Sequence, residues 1–125
     1  MQINQVTLPC DDYNESVEFY KRLGLRQIVD SSPRYARFET DAGSTLSVHS
    51  AKPTAARPDI IVYFEVEDVD ALVRDLKQNG IAFESEPVDQ EWLWREAHLR
   101  DPAGNRLCIY HAGKNRRFPP WRITG

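Results

Sequence analysis

The chain has 125 residues, 41% of them hydrophobic and 28% charged, the balance of a folded globular protein that can bury one core but would be marginal as two separate ones. Sixteen Lys and Arg against nineteen Asp and Glu give a net charge of −3, and four of the cations, Lys114, Arg116, Arg117 and Arg122, stand in an acid-free tail, which leaves −7 on the rest. That distribution argues against nucleic acid as the partner of the body, and no stretch approaches the roughly 20 apolar residues of a membrane span.

The opening MQINQVTLPC has neither a basic region nor a long apolar run, so a cytoplasmic protein is expected. In that compartment Cys10 and Cys108, far apart and without CxxC spacing, read as free thiols. Residues 3–10 alternate, with Val6, Leu8 and Cys10 opposite Gln5, Thr7 and Pro9, as a strand does. Asp12 with Glu15 has capping-box spacing, Tyr13, Val17 and Tyr20 follow at helical intervals, and Gly24 closes the segment. Three short strands are predicted over 25–30, 34–40 and 45–50, separated by Ser31-Ser32-Pro33 and Asp41-Ala42-Gly43. Ala51 to Pro58 reads as a linker.

The second half repeats the plan. Ile60, Val62, Phe64 and Val66 alternate with Ile61, Tyr63 and Glu65; Asp68 or Asp70 can cap a helix bearing Val69, Leu72, Val73 and Leu76; and Asn79-Gly80 ends it. Strands are predicted near 81–85, 93–100 and 106–111, the last two joined by Asp101-Pro102-Ala103-Gly104-Asn105. Asp12, Val17, Lys21 and Gly24 match Asp68, Val73, Lys77 and Gly80 at one offset, and AGSTLSVH recurs as AGNRLCIY at a larger one. A loop insertion in the second copy accounts for the difference. The expected organisation is one domain: a module over about 1–50, the linker 51–58, a module over about 59–111, and a tail over 112–125.

Strand alternation lists the sheet face turned away from the helices. In the first module it carries Gln5, Thr7, Tyr35, Arg37, Ser47 and His49. In the second it carries Ile61, Tyr63, Trp92, Trp94, Glu96, His98, Cys108 and Tyr110. Rings with hydrogen-bonding tips suit a planar or amphipathic small molecule better than a bare ion. Trp92 and Trp94 can equally plug a cleft or cover an interface, and Cys108 reads better as a small buried hydrophobe than as a nucleophile. Glu96, His98 and His49 are the acid, base or ligand candidates: a displaced metal site, a proton-transfer pair, or, as the blander reading, a surface row with Arg100. Asp101 reads as a turn cap.

The two βαβββ units, the segments NESVEFYKRLGL and DVDALVRDLKQNGI, and the DPAGN hairpin together resemble the vicinal oxygen chelate superfamily over about residues 1–111. That group includes glyoxalase I, fosfomycin-resistance enzymes, bleomycin-resistance proteins and extradiol dioxygenases. The resemblance implies an α+β fold: two tandem βαβββ modules forming a curved mixed sheet with a central cleft and helices outside, as a homodimer. It places the family's metal-ligand positions on Gln5, Ser47, Ile61 and Cys108. Ser47 is a weak neutral ligand, Ile61 has no donor atom, and Cys108 brings a soft sulfur where the family uses a carboxylate. No metal is therefore expected at those positions. The leading expectation is a metal-free binder of a small aromatic or amphipathic molecule. The alternatives are a divalent-metal-dependent lyase, isomerase or dioxygenase with an atypical ligand set, and an interaction module with a vestigial cleft. The basic tail, with Phe118 and Trp121, would wrap a partner subunit or close over its own cleft.

Overall fold

The structure is a computed structural model and describes residues 1–52 and 60–123. Its elements follow in the order β1 (Gln5–Cys10), α1 (Tyr13–Leu23), β2 (Arg26–Ser31), β3 (Tyr35–Glu39), β4 (Thr45–Ser50), β5 (Ile61–Glu65), α2 (Val69–Gln78), β6 (Val88–Asp89), β7 (Arg95–Arg100) and β8 (Arg106–His111). A 3-10 turn, Gly113–Asn115, comes after them. The fold is α+β and consists of two βαβββ modules, each with its own four-stranded mixed sheet, ordered β1-β4-β3-β2 and β5-β8-β7-β6. In each, the first strand runs parallel to the last, and that pairing requires the intervening helix as a crossover. The linker expected over 51–58 lies largely on residues 53–59, outside the described residues.

Both helices start as their sequences dictate. Asp12 accepts the Glu15 amide at 3.0 Å, and Asp68 accepts the Ala71 amide at 3.0 Å, each filling an N-cap donor that the helix cannot satisfy itself. Asp68 is thus the cap, and Asp70 instead takes a two-pronged bond from Arg95 at 2.8 Å on both arms. Gly24 closes α1 at φ 108°, a left-handed conformation that costs a glycine little.

The two compact units are Met1–Ile60 with Arg100–Asn105, and Ile61–Leu99 with Arg106–Gly125. In the first, Leu8, Cys10, Ala36, Phe38, Leu46 and Val48 bury one sheet face under Tyr13, Val17 and Tyr20 of α1. In the second, Ala97, Leu99, Leu107 and Ile109 are buried, as are Val69, Val73 and Leu76 of α2. In both modules the period-2 pattern of the strands and the 3.6-residue stripe of the helix select the buried face, which leaves the other sheet face for chemistry.

The strand expected near 81–85 is not formed. The Glu84 and Ser85 amides both point at one acceptor, the His98 carbonyl, at 2.8 and 3.4 Å, and Pro87 offers no amide to continue a ladder. The outer strand is instead Val88–Asp89, paired with Glu96 and Arg95. The last long strand before the hairpin begins at Arg95, so Trp92 and Trp94 belong to the turn ahead of it rather than to the strand.

Candidate functional site

On the first module's open face the polar side chains bond to one another. The Gln5 amide nitrogen, with two hydrogens to give, stands 3.0 Å from the Ser47 hydroxyl and 3.1 Å from both Thr7 Oγ1 and the Val6 carbonyl, and that carbonyl fixes which end of the amide is nitrogen. Ser47, fully buried, lies 2.6 Å from the Tyr35 hydroxyl, which also receives Arg37 Nε at 2.9 Å. The Ser47 hydroxyl and the Arg37 guanidinium hold the Tyr35 phenol below its ordinary pKa, against a smaller opposing effect of burial. His49 is exposed on β4.

On the second module's open face, rings gather beside a buried carboxylate. Trp94 and Tyr110 lie 4.9 Å apart between centroids, and Tyr63 sets its edge against both at 5.8 and 5.3 Å. Ile61 and Trp94 pack on the buried Cys108, Tyr110 and Ala112. Trp92 and Tyr63 remain 45% and 41% exposed, which leaves two ring faces for a partner molecule. A tight turn delivers the indoles: the Leu93 amide bonds to the Gln90 carbonyl at 3.0 Å, and Leu93 takes φ 70°, a strained value for a leucine.

Glu96 is 2% exposed, so the surface row with Arg100 is corrected for this residue, which is buried and bonded to the Trp92 indole. Its Oε2 accepts the Trp92 indole N–H at 2.7 Å, and its Oε1 lies 2.8 Å from His98 Nε2. As a carboxylate it accepts from both, which places a proton on His98 Nε2 and leaves Nδ1 without a hydrogen bond among the described residues.

Cys108 does not complete a nucleophilic triad. Its sulfur lies 3.9 Å from His98 Nε2, the same nitrogen that faces Glu96, so the imidazole has no second face bridging thiol and carboxylate. Burial, and then the Glu96 charge, push the thiol up to about 12. Glu96, His98 and Cys108 nevertheless offer donor atoms within 4.8 Å of one another.

A family model described as the Glyoxalase/Bleomycin resistance protein/Dioxygenase superfamily matches residues 2–109. The chain belongs to that superfamily. It is 35% identical over 127 residues to the uncharacterized protein YraH of Bacillus subtilis strain 168, a match covering 88% of this chain and 98% of that one. Among solved structures, a glyoxalase/bleomycin resistance protein/dioxygenase from Nocardioides superposes with a TM-score of 0.78 at 24% identity, over 99% of this chain and 90% of its own. A lactoylglutathione lyase from Agrobacterium tumefaciens superposes with 0.72 at 18% identity, over 98% and 97%. These two likenesses show the fold alone.

The metal that the resemblance implies does not fit the four positions this glyoxalase-superfamily chain presents. Gln5 and Ser47 are bonded to each other, Ile61 packs its hydrocarbon against Cys108, Tyr110 and Ala112, and Cys108 holds its proton. The sequence singles out Glu96 and His98 by their two-residue spacing but does not group Cys108 with them, as the structure does. Matching the parallel β5 and β8, where Tyr63 pairs with Cys108, against the face of β7 would have pointed to it.

Proposed function

We propose that this protein binds a small planar molecule on the ring-bearing face of its second module, without the divalent metal of its family's enzymes. The observation that carries the reading is the set of Tyr63, Trp94 and Tyr110, with exposed Trp92 pinned by its indole N–H to a buried carboxylate. A fixed indole loses little freedom on stacking, and the Glu96 charge favours a ligand with cationic character. Gln5, Thr7, Tyr35, Arg37, Ser47 and His49 offer polar contacts on the first module's own face. Titration with flat aromatic cations, followed by indole fluorescence, should give affinities of about micromolar order, unchanged by EDTA and lost in Trp94→Ala. A stoichiometric metal in protein purified without chelator, or binding that needs one, would overturn the proposal.

The clustering of Glu96, His98 and Cys108 favours a second reading, an enzyme with a displaced metal site. That donor set suits a borderline ion such as zinc better than magnesium. Elemental analysis decides between the two: close to one equivalent of metal supports the enzyme, and under about a tenth argues against it. A cytoplasmic homodimer, with the basic tail laid on a second acidic body, extends the proposal. A Lys114→Glu/Arg122→Glu variant that stays a dimer in light scattering would remove the tail from it.

A further inference from the structure

The hydrogen bonds of the first module's open face leave two donors unused, and they adjoin. Gln5 Nε2 can only donate, and the Ser47 hydroxyl, at 3.0 Å the nearest of its three acceptors, takes one of its two hydrogens. Ser47 is fully buried, and the only other side chain bonded to it among the described residues is Tyr35, 2.6 Å away, so its own proton goes to the Tyr35 oxygen. Arg37 Nε donates to the same oxygen at 2.9 Å. With two donors converging on it, the Tyr35 oxygen accepts twice and its proton is left for an acceptor outside the chain.

Arg37 stands beside that proton. Its side chain is half-buried, its guanidinium carbon sits 5.5 Å over the Tyr35 ring, and among the described residues its Nη atoms bond to nothing and no carboxylate pairs with it. A half-buried arginine without a counter-charge among the described residues is an unspent charge on this face. The Nη fork is the geometry that matches a planar carboxylate through two parallel N–H bonds.

We propose that Arg37 and Tyr35 form a binding site for a ligand carboxylate, the guanidinium fork taking its oxygens and the Tyr35 hydroxyl donating a further hydrogen bond. Ser47 and Gln5 are positioning residues, since they act by turning the Tyr35 proton outward. The site is made of first-module residues alone and does not depend on ring binding at the second module.

The experiment titrates the full chain with benzoate and with benzamide, its neutral isostere, following backbone and Arg37 Nε–H resonances by NMR. Benzoate should bind at least about tenfold more tightly than benzamide, shift the Arg37 Nε–H signal, and lose most of that advantage in Arg37→Ala. Tyr35→Phe, which keeps the ring packed, should weaken benzoate about three- to tenfold and leave benzamide unchanged. Should Arg37→Ala fail to fold, Arg37→Lys keeps the charge, removes the fork and should still cost about three- to tenfold. Equal affinity for the two compounds, or benzoate binding unaffected in both Tyr35→Phe and the Arg37 variant, would overturn the proposal. Loss of the aromatic-cation signal in Trp94→Ala with benzoate binding intact separates the two sites.

Discussion

Cys108 shows how little a residue type says without its surroundings. Burial first and the Glu96 carboxylate second raise its thiol to about 12, so at pH 8 only about one molecule in ten thousand carries the thiolate, which is the reactive form. Cys10 is buried as well and forms no disulfide. The native protein should therefore leave a disulfide reagent such as DTNB unconsumed at pH 8, and release two thiols per chain once unfolded in guanidinium. Glu96→Gln removes the neighbouring charge but not the burial, so it should bring the thiol down only part of the way to its ordinary value. Rapid reaction of one thiol in the native wild type would contradict the burial of both. A raised thiol pKa also means that the neutral group's contribution to stability is complete below the unfolded value of 9.0 and is lost as pH climbs through about 12.

Among the elements, β5 ends on a side chain that fastens the turn beyond β8. Glu65 accepts the Ala112 and Gly113 amides at 2.8 and 2.9 Å, with Arg116 Nε and His111 Nδ1 each just under 4 Å away. Partial burial works to raise this carboxyl, but the two amides, His111 and Arg116 together outweigh it and hold it below its usual 4.5. The stabilisation is therefore complete above the unfolded value and disappears as pH falls through the lower folded one. Amide exchange at Ala112 and Gly113 should accelerate as pH falls below the usual 4.5, beyond the intrinsic acid dependence, and Glu65→Gln should give the faster exchange already at pH 7. Because a third of the side chain faces solvent, the variant should cost only about 1 kcal/mol in global stability. Unchanged protection in Glu65→Gln would show that the turn holds itself.

The same scale shows what the sequence made legible. The Asp12 cap, the glycine stop of α1 and seven of the eight strands follow from spacing, because capping and alternation are local and repeat with the backbone's own periods; spacing narrows the second cap only to Asp68 or Asp70. Residues 81–85 misled because Ile81, Phe83 and Ser85 alternate plausibly. Whether the amides find a ladder depends on where β7 lies, and local pattern does not record that. Which strand residues share a face was legible for the same reason as the strands, Trp92 and Trp94 of the turn excepted. The burial of Glu96 was not, since it depends on an indole arriving from a turn held by a strained Leu93.

At the scale of the whole chain, the two copies of one turn have unequal roles. Thr40 in the first hairpin and Asp101 in the second hold the same place in the repeat; Asp101 is 4% exposed and belongs to the first compact unit, whereas Asp41, the aspartate beside Thr40, is exposed. Its Oδ1 accepts the Ala103 and Asn105 amides at 3.0 and 2.8 Å, and its Oδ2 accepts the Asn105 side-chain amide at 2.8 Å and the Tyr20 hydroxyl at 2.6 Å. Asn105 also donates to the Pro9 carbonyl at 2.9 Å. Tyr20 is fully buried, and burial together with the Asp101 charge pushes its phenol well above the ordinary range. The first module's core therefore includes a turn supplied by the second half of the sequence. Asp101→Ala would strip a buried phenol and two backbone amides of their acceptor at once and should cost about 3 kcal/mol, whereas Asp41→Ala should stay within about 0.5 kcal/mol. Urea unfolding measures both. Tyr20→Phe, which leaves Asp101 its three other donors, should fall between them at about 1 kcal/mol, because it deletes one hydrogen bond and leaves no buried donor unpaired. Equal costs for the two aspartates would mean that the Asp101 turn serves the first module no more than an ordinary hairpin does.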